Sequence, residues 1–221
     1  MRQLIARVAK RLIPPRETLE GYEHPELVEV IFQKTKTYQP SGEWPEIAGA
    51  TTVLDFGGAC GIHYKQAKLP NVRWAVVDTP AMVARASELA TAKLKFFSSI
   101  QEAAAWLGPI DVMHSNGALQ YTPAPETTLR QLCELGASRM IWGRLYFGQP
   151  EKQVSLLSEN GPGQMRLKEK SVRYSRLGIS EAAFLEAHQG YSLNRRDEGG
   201  FLFAAQIVPP IGRNEQGGVM K

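Results

Sequence analysis

The stretch Val53-Leu54-Asp55-Phe56-Gly57-Gly58-Ala59-Cys60-Gly61 leaves this chain few ways to fold. Thr51 to Phe56 is a short β-rich apolar run with turn residues close behind it, the pattern of a buried strand. The glycines let the backbone turn sharply, and without Cβ atoms they let a ligand lie against the main chain. Ile62 to Leu69 can then begin a helix whose free N–H groups point back at such a ligand. Strand, glycine loop and helix form the first half of a nucleotide-binding βαβ unit. A turn that merely permits tight packing has the same composition, so the spacing has to decide.

A dinucleotide fingerprint needs Gly-x-Gly-x-x-Gly, which brings backbone N–H groups onto a pyrophosphate. Here the small residues fall at Gly57, Ala59 and Gly61, directly after Asp55, giving Asp-x-Gly-x-Ala-x-Gly. No register converts this to the dinucleotide form, and no P-loop motif occurs in the chain. The loop resembles motif I of the class I S-adenosylmethionine-dependent methyltransferases, in which small residues alternate after an acidic one. Ala59 departs from the glycine that many members carry there.

Three later segments extend the pattern. Val72 to Val77 reads as the second strand and ends at Asp78, where a carboxylate can accept hydrogen bonds from both ribose hydroxyls. Thr79 and Pro80 open the next helix, so a capping role competes for Asp78. Lys93 to Phe97 is the third strand, followed by Ser98, Ser99 and Ile100, with Ser99 and Glu102 spaced as a capping box. Ile110 to Tyr121 combines a short strand, a small polar turn at Ser115-Asn116-Gly117 and an apolar-polar-aromatic run at Leu119-Gln120-Tyr121. With Thr122-Pro123-Ala124-Pro125 behind it, this segment resembles methyltransferase motif IV and its continuation. Arg139 to Tyr146 is the fifth strand, and residues 148–173 read as a lid or a disordered connection. Tyr191 to Arg196 and Phe201 to Val208 alternate around Asp197-Glu198-Gly199-Gly200 as an antiparallel hairpin.

The resemblance spans roughly residues 50–208 and looks narrowest to methyltransferases encoded among genes for polysaccharide and sugar modification. It implies a Rossmann-like α/β fold: a mostly parallel seven-stranded sheet, helices on both faces and a terminal antiparallel hairpin. The implied cofactor is S-adenosylmethionine. Asp55, Gly57, Gly58, Ala59 and Gly61 would surround its methionine and ribose, and Asp78 with Thr79 would take the ribose. Ser98, Ser99 and Ile100 would meet the adenine, and the backbone at Ser115 and Asn116 the amino group. The expected acceptor is a small molecule or a glycan. If it is a hydroxyl it must lose a proton, and His63 and His114 are the nearest bases. Gln120, Tyr121 and Arg144 can position a polar or anionic acceptor. Tyr22 and Tyr38 can line its pocket or lie on the surface. His24 caps one helix and His188 ends another, both structural places. A methyltransferase-like binding domain without catalysis stays open. So does a nicotinamide-dependent sugar oxidoreductase, although the spacing of the loop counts against it.

Charge divides the chain unevenly. The net charge is +4, yet Arg2, Arg7, Lys10, Arg11 and Arg16 precede any acid, so the remainder is close to neutral and has no nucleic-acid-binding character. Residues 1–16 therefore read as a basic amphipathic helix with Leu4, Ile5, Val8 and Leu12 on one side. It would pack on protein or touch a membrane surface weakly. Residues 17–48 are expected to form a helical cap, 49–210 the methyltransferase domain and 211–221 a loose tail. Cys60 and Cys133 make neither a disulfide framework nor a zinc site, no metal is expected, and the setting implied is cytoplasmic. The oligomeric state is not legible.

Overall fold

The computed structural model describes residues 18–156 and 171–206. The expectations for residues 1–16 and 211–221 lie outside the described residues.

Seven strands form one sheet. In chain order they are β2 (Thr52–Phe56), β3 (Arg73–Val77), β4 (Leu94–Phe97), β5 (Val112–Asn116), β6 (Arg139–Gly143), β9 (Tyr191–Asp197) and β10 (Gly200–Ala205). Their spatial order is β4-β3-β2-β5-β6-β10-β9. The first five run parallel, while β10 is antiparallel to both β6 and β9. This is a Rossmann-like, mostly parallel seven-stranded sheet with a closing antiparallel hairpin, as expected. The order reverses between β2 and β5, and in open α/β sheets that crevice at the strands' carboxyl ends is where ligands bind.

Alternation along the strands sends side chains to two cores. Leu54, Ala75, Val77, Met113, Met140 and Trp142 face one side, where they pack against Ile100, Ala103 and Leu107 of α4 (Ile100–Leu107). Leu129 and Leu132 of α5 (Pro125–Cys133) and Phe184 of α6 (Glu181–Ala187) complete that layer. Val53, Trp74, Val76, Val112 and Ile141 face the other side, against Ile47 and the partly buried Tyr64 and Ala67 of α2 (Ile62–Ala67). A strand buried on both faces is apolar at both parities, which is why β3 reads as a continuous apolar run and β2 and β5 open on the apolar pairs Val53-Leu54 and Val112-Met113.

On that second side, α1 (Pro25–Thr37) packs on α3 (Pro80–Ala86) through Val28, Phe32, Met82 and Ala86. His24 caps α1, its Nδ1 accepting from the Glu26 N–H at 3.2 Å, with Pro25 at the first helical position. The expected stretch 17–48 is not wholly helical, because Thr18–Glu20 is a strand, β1. Residues 148–173 are likewise not one open connection: Glu151–Leu156 is β7 and Ser171–Arg176 is β8. β1 pairs parallel with β8, and β7 pairs antiparallel with it, making a separate three-stranded sheet. Val172 and Tyr174 of β8 pack on Leu27 and Val30 of α1, with Tyr22 and Tyr121 against them. No helix among the described residues is long and apolar enough to cross a membrane.

Candidate active site

A cavity of about 690 Å³ opens at the carboxyl ends of β2 and β5, within the size range of small-molecule sites. Its floor is the turn after β2. The Gly57 N–H donates to the Val77 carbonyl at 2.8 Å, tying the turn to the neighbouring strand. Gly57 has φ 72°, and a Cβ there would overlap the Ala118 methyl. A branched residue at 57 would therefore collide with protein before it reached any ligand. Ala59 also sits in the left-handed region, φ 51°, unusual without glycine. It is held there by Asp78, whose Oδ2 accepts the Ala59 N–H at 2.8 Å. Alanine thus supplies the geometry that glycine gives elsewhere, and it lines the cavity rather than closing it.

Asp78 stands on the cavity wall. Its Oδ1 accepts the Thr79 N–H at 2.8 Å, while the Thr79 hydroxyl caps α3 through Met82 N–H. Burial pushes the Asp78 carboxyl up to about 6, since the two backbone N–H bonds only partly offset desolvation and the charges of Asp55 and Glu23 add to it. A carboxylate so placed gains from further donors. Ser98, Ser99 and Ile100 continue the wall, joined by Gln101. The Ser99 hydroxyl is engaged by the Glu102 N–H at 3.3 Å as the cap of α4.

Asp55 behaves differently. Its carboxylate is fully buried and turned away from the cavity, under Gly58, where a Cβ would overlap it. Oδ1 lies 2.8 Å from His114 Nδ1 and Oδ2 lies 3.0 Å from His63 Nδ1, while Trp74 Nε1–H donates to Oδ2 at 3.2 Å. Burial alone would raise this carboxyl, but the neighbouring His63 and the N–H donors of both imidazoles hold it well below the usual range. One carboxylate serves two rings unequally. For His63, burial is outweighed by the charge and hydrogen bond of Asp55, and its value rises. His114 is more deeply buried, and desolvation lowers its value in spite of the hydrogen bond and charge of Asp55.

The remaining expected residues divide. His63, Gly57, Gly58, Thr79, Asn116, Tyr121 and Arg144 lie on the wall with those above. His114, Gln120, Gly61 and Ser115 do not. His114 is 3% exposed and packed edge-on against Trp44 at 4.7 Å, so it cannot meet an acceptor directly. Gln120 is buried and donates through Nε2 to the Arg144 carbonyl at 3.0 Å. That bond supports Arg144 in its own left-handed conformation, φ 48°. The Arg144 guanidinium donates to Asn116 Oδ1 at 2.9 Å and to the Asn116 carbonyl at 3.1 Å, which fixes a cation over the end of β5. Gly61 donates to the Gly58 carbonyl at 2.9 Å and starts α2, and Ser115 lies within the sheet.

Of the two early tyrosines, Tyr22 lines the cavity and Tyr38 does not, bonding instead to Gln66. Tyr22 stacks on Tyr174 at 4.8 Å and meets Tyr121 edge-on at 5.3 Å, so that β8 of the small sheet backs an aromatic roof of Tyr22 and Tyr121. Ile31, Lys34 and Thr35 of α1 also reach the wall. Their i, i+3, i+4 spacing is a signal for one helix face, though not for what that face covers.

No protein-family model matches the chain. No curated protein does either. Among solved structures, the N-terminal domain of EvdMO1 with SAH bound is 15% identical, covering 93% of this chain and 98% of that one, with a TM-score of 0.47. CalS10, an amino pentose methyltransferase from Micromonospora echinaspora, is 14% identical over 91% of this chain and 97% of its own, TM-score 0.48. Streptomyces venezuelae DesVI is 11% identical over 82% and 92%, TM-score 0.49. Scores below 0.5 decide nothing, and the fold rests on strand order and register.

Proposed function

We propose that the protein is an S-adenosylmethionine-dependent methyltransferase acting on a small molecule or a glycan. The observation that carries this reading is the cavity at the switch point, walled in turn by the 57–59 loop, Asp78 and the 98–101 turn. On it, the methionine lies against the glycine loop, the ribose hydroxyls donate to Asp78, and the adenine sits at Ser98 to Gln101. The acceptor enters beneath Tyr22 and Tyr121, beside Arg144.

Transfer moves the methyl carbon from the sulfonium to the acceptor atom. The carbon–sulfur bond breaks as the new bond forms, and S-adenosylhomocysteine remains. The sulfonium is already activated, so holding the acceptor in line at about 3 Å supplies most of the catalysis. A hydroxyl acceptor also gives up a proton. Among the described residues, His63 is the imidazole on the wall, and with Nδ1 facing Asp55 its Nε2 is the atom left to take that proton.

Calorimetry against S-adenosylmethionine, S-adenosylhomocysteine and NAD tests the reading. Saturable binding of the first two and none of NAD is expected. Binding of NAD alone, or of none of the three, overturns it.

A further inference from the structure

The geometry points to a divalent-metal site beside the glycine loop, built from Asp55, His63 and His114 and suited to zinc. The three residues come from β2, α2 and β5, and one ligand atom of each lies within 4.8 Å of the others. Asp55 Oδ1 is the shared vertex, 2.8 Å from His114 Nδ1 and 3.1 Å from His63 Nδ1. Ligand atoms around tetrahedral zinc, with bonds of about 2.0–2.1 Å, stand roughly 3.3 Å apart. The two Asp55 edges would lengthen by about half an ångström or less, and the imidazole nitrogens, within 4.8 Å of each other, would close by up to about 1.5 Å to hold an ion.

The donor chemistry narrows the ion. Two imidazoles and one carboxylate favour zinc and its borderline neighbours over calcium or magnesium, which prefer oxygen alone. Three protein ligands leave a fourth position for solvent. Outer support is present too. Trp74 Nε1–H donates to the second carboxylate oxygen at 3.2 Å, holding the carboxylate's orientation. Trp44 packs against both rings, 4.7 Å from His114 and 6.2 Å from His63, and shields the cluster. His63 borders the cavity, so an ion has a way in.

The site does not depend on methyl transfer. A metal on Nδ1 leaves Nε2 protonated, so ion binding and proton acceptance by His63 exclude each other. The same contacts also make a hydrogen-bonded cluster with no ion, and experiment separates the two. Full-length protein treated with chelator and dialysed is titrated with zinc chloride by calorimetry. One saturable equivalent is expected, weakened at least about 100-fold in both His63→Ala and His114→Ala, because even outer-shell losses cost 10–100-fold. No saturable binding by the wild type, or unchanged binding in variants that still unfold cooperatively, overturns the site. The wild type loaded with cobalt(II) gives a readout that needs no variant. Visible d–d bands without a thiolate charge-transfer band are expected. A thiolate band, or the unaltered spectrum of the aqueous ion, overturns it.

Discussion

Asp55, in β2, and Asp78, just past the end of the adjacent parallel strand β3, lie on either side of one loop and face opposite tasks. Asp55 is enclosed, accepts from three side-chain N–H groups and stays ionised. Asp78 is half-buried on the cavity wall, accepts from two backbone N–H groups and is raised to about 6. The first holds the loop up from below, and the second ties it down at the ligand's edge. Identical side chains are separated in function by the number and kind of donors around them. Stability should therefore depend on Asp55 and affinity on Asp78.

The largest test removes Asp55. Asp55→Ala leaves the buried His114 and Trp74 N–H groups and the half-buried His63 without their acceptor, and each buried donor left unpaired costs about 1–3 kcal/mol. Urea unfolding should show that loss. A variant as stable as wild type, with only its ligand affinity reduced, would dissolve the distinction.

Acid provides the second test. His188 accepts from Trp142 Nε1–H at 2.8 Å, faces the Phe184 carbonyl through Nδ1 at 2.7 Å and stacks on Phe203 at 3.9 Å. Burial lowers it to about 4 from an ordinary 6.5. The unfolded state then binds the proton first, so stability falls by about 3 kcal/mol as pH drops from 6.5 to 4, and no further below. Asp78 works in reverse. Its folded value exceeds the ordinary 3.8, so protonation between about 6 and 3.8 relieves a buried charge. Asp78→Asn keeps only one of the two acceptors, so the sign of its stability difference is not the test; the difference should shift in favour of the wild type as pH falls from about 6 towards 3.8. A gap independent of pH would mean that Asp78 is not buried as charge.

The third concerns affinity alone. Asp78→Ala should weaken S-adenosylhomocysteine binding by about 1.5–3 kcal/mol, the range for hydrogen bonds to a charged group. An analogue lacking both ribose hydroxyls should barely notice the mutation, and equal losses for parent and analogue would remove the ribose from Asp78. The smallest expected effect is on wild-type affinity for S-adenosylhomocysteine. It should decline below about pH 6 by no more than tenfold per unit, while Asp78→Asn shows no such slope.

Much of the fold was legible because β3 is apolar at both parities and β2 and β5 open on Val53-Leu54 and Val112-Met113, and because Asp-x-Gly-x-Ala-x-Gly separates this loop from the dinucleotide form. The hairpin announced itself through alternation around Asp197-Glu198-Gly199-Gly200. The small sheet did not. β1 has three residues, too few for a period, and its partner β8 lies far along the chain. The site was legible by position and less so by direction. Asp55, His63 and His114 were each visible in the sequence, yet their convergence depends on the register that sets Asp55 opposite His114. Aligning the two strands at their carboxyl ends would instead pair Asp55 with Ser115, one residue off, which turns the side chains to the other face. The bond from Gln120 to the Arg144 carbonyl has no local signature, since tertiary packing alone brings the two near.

The pairing of β1 with β8 also sets an order of assembly. Synthesis proceeds from the N-terminus, and parallel long-range pairing waits on chain closure. The strand Thr18–Glu20 leaves the ribosome before any other described element, yet Ser171–Arg176, its partner, is made after β2 through β6 are complete. The cavity's floor can therefore form while its aromatic roof is unfinished. A nascent chain halted before β8 would carry the loop, Asp78 and the 98–101 turn, but not the Tyr174 on which Tyr22 stacks. On the proposed function, the part of the cavity that would hold the nucleoside is synthesised before the part that would hold the acceptor is complete.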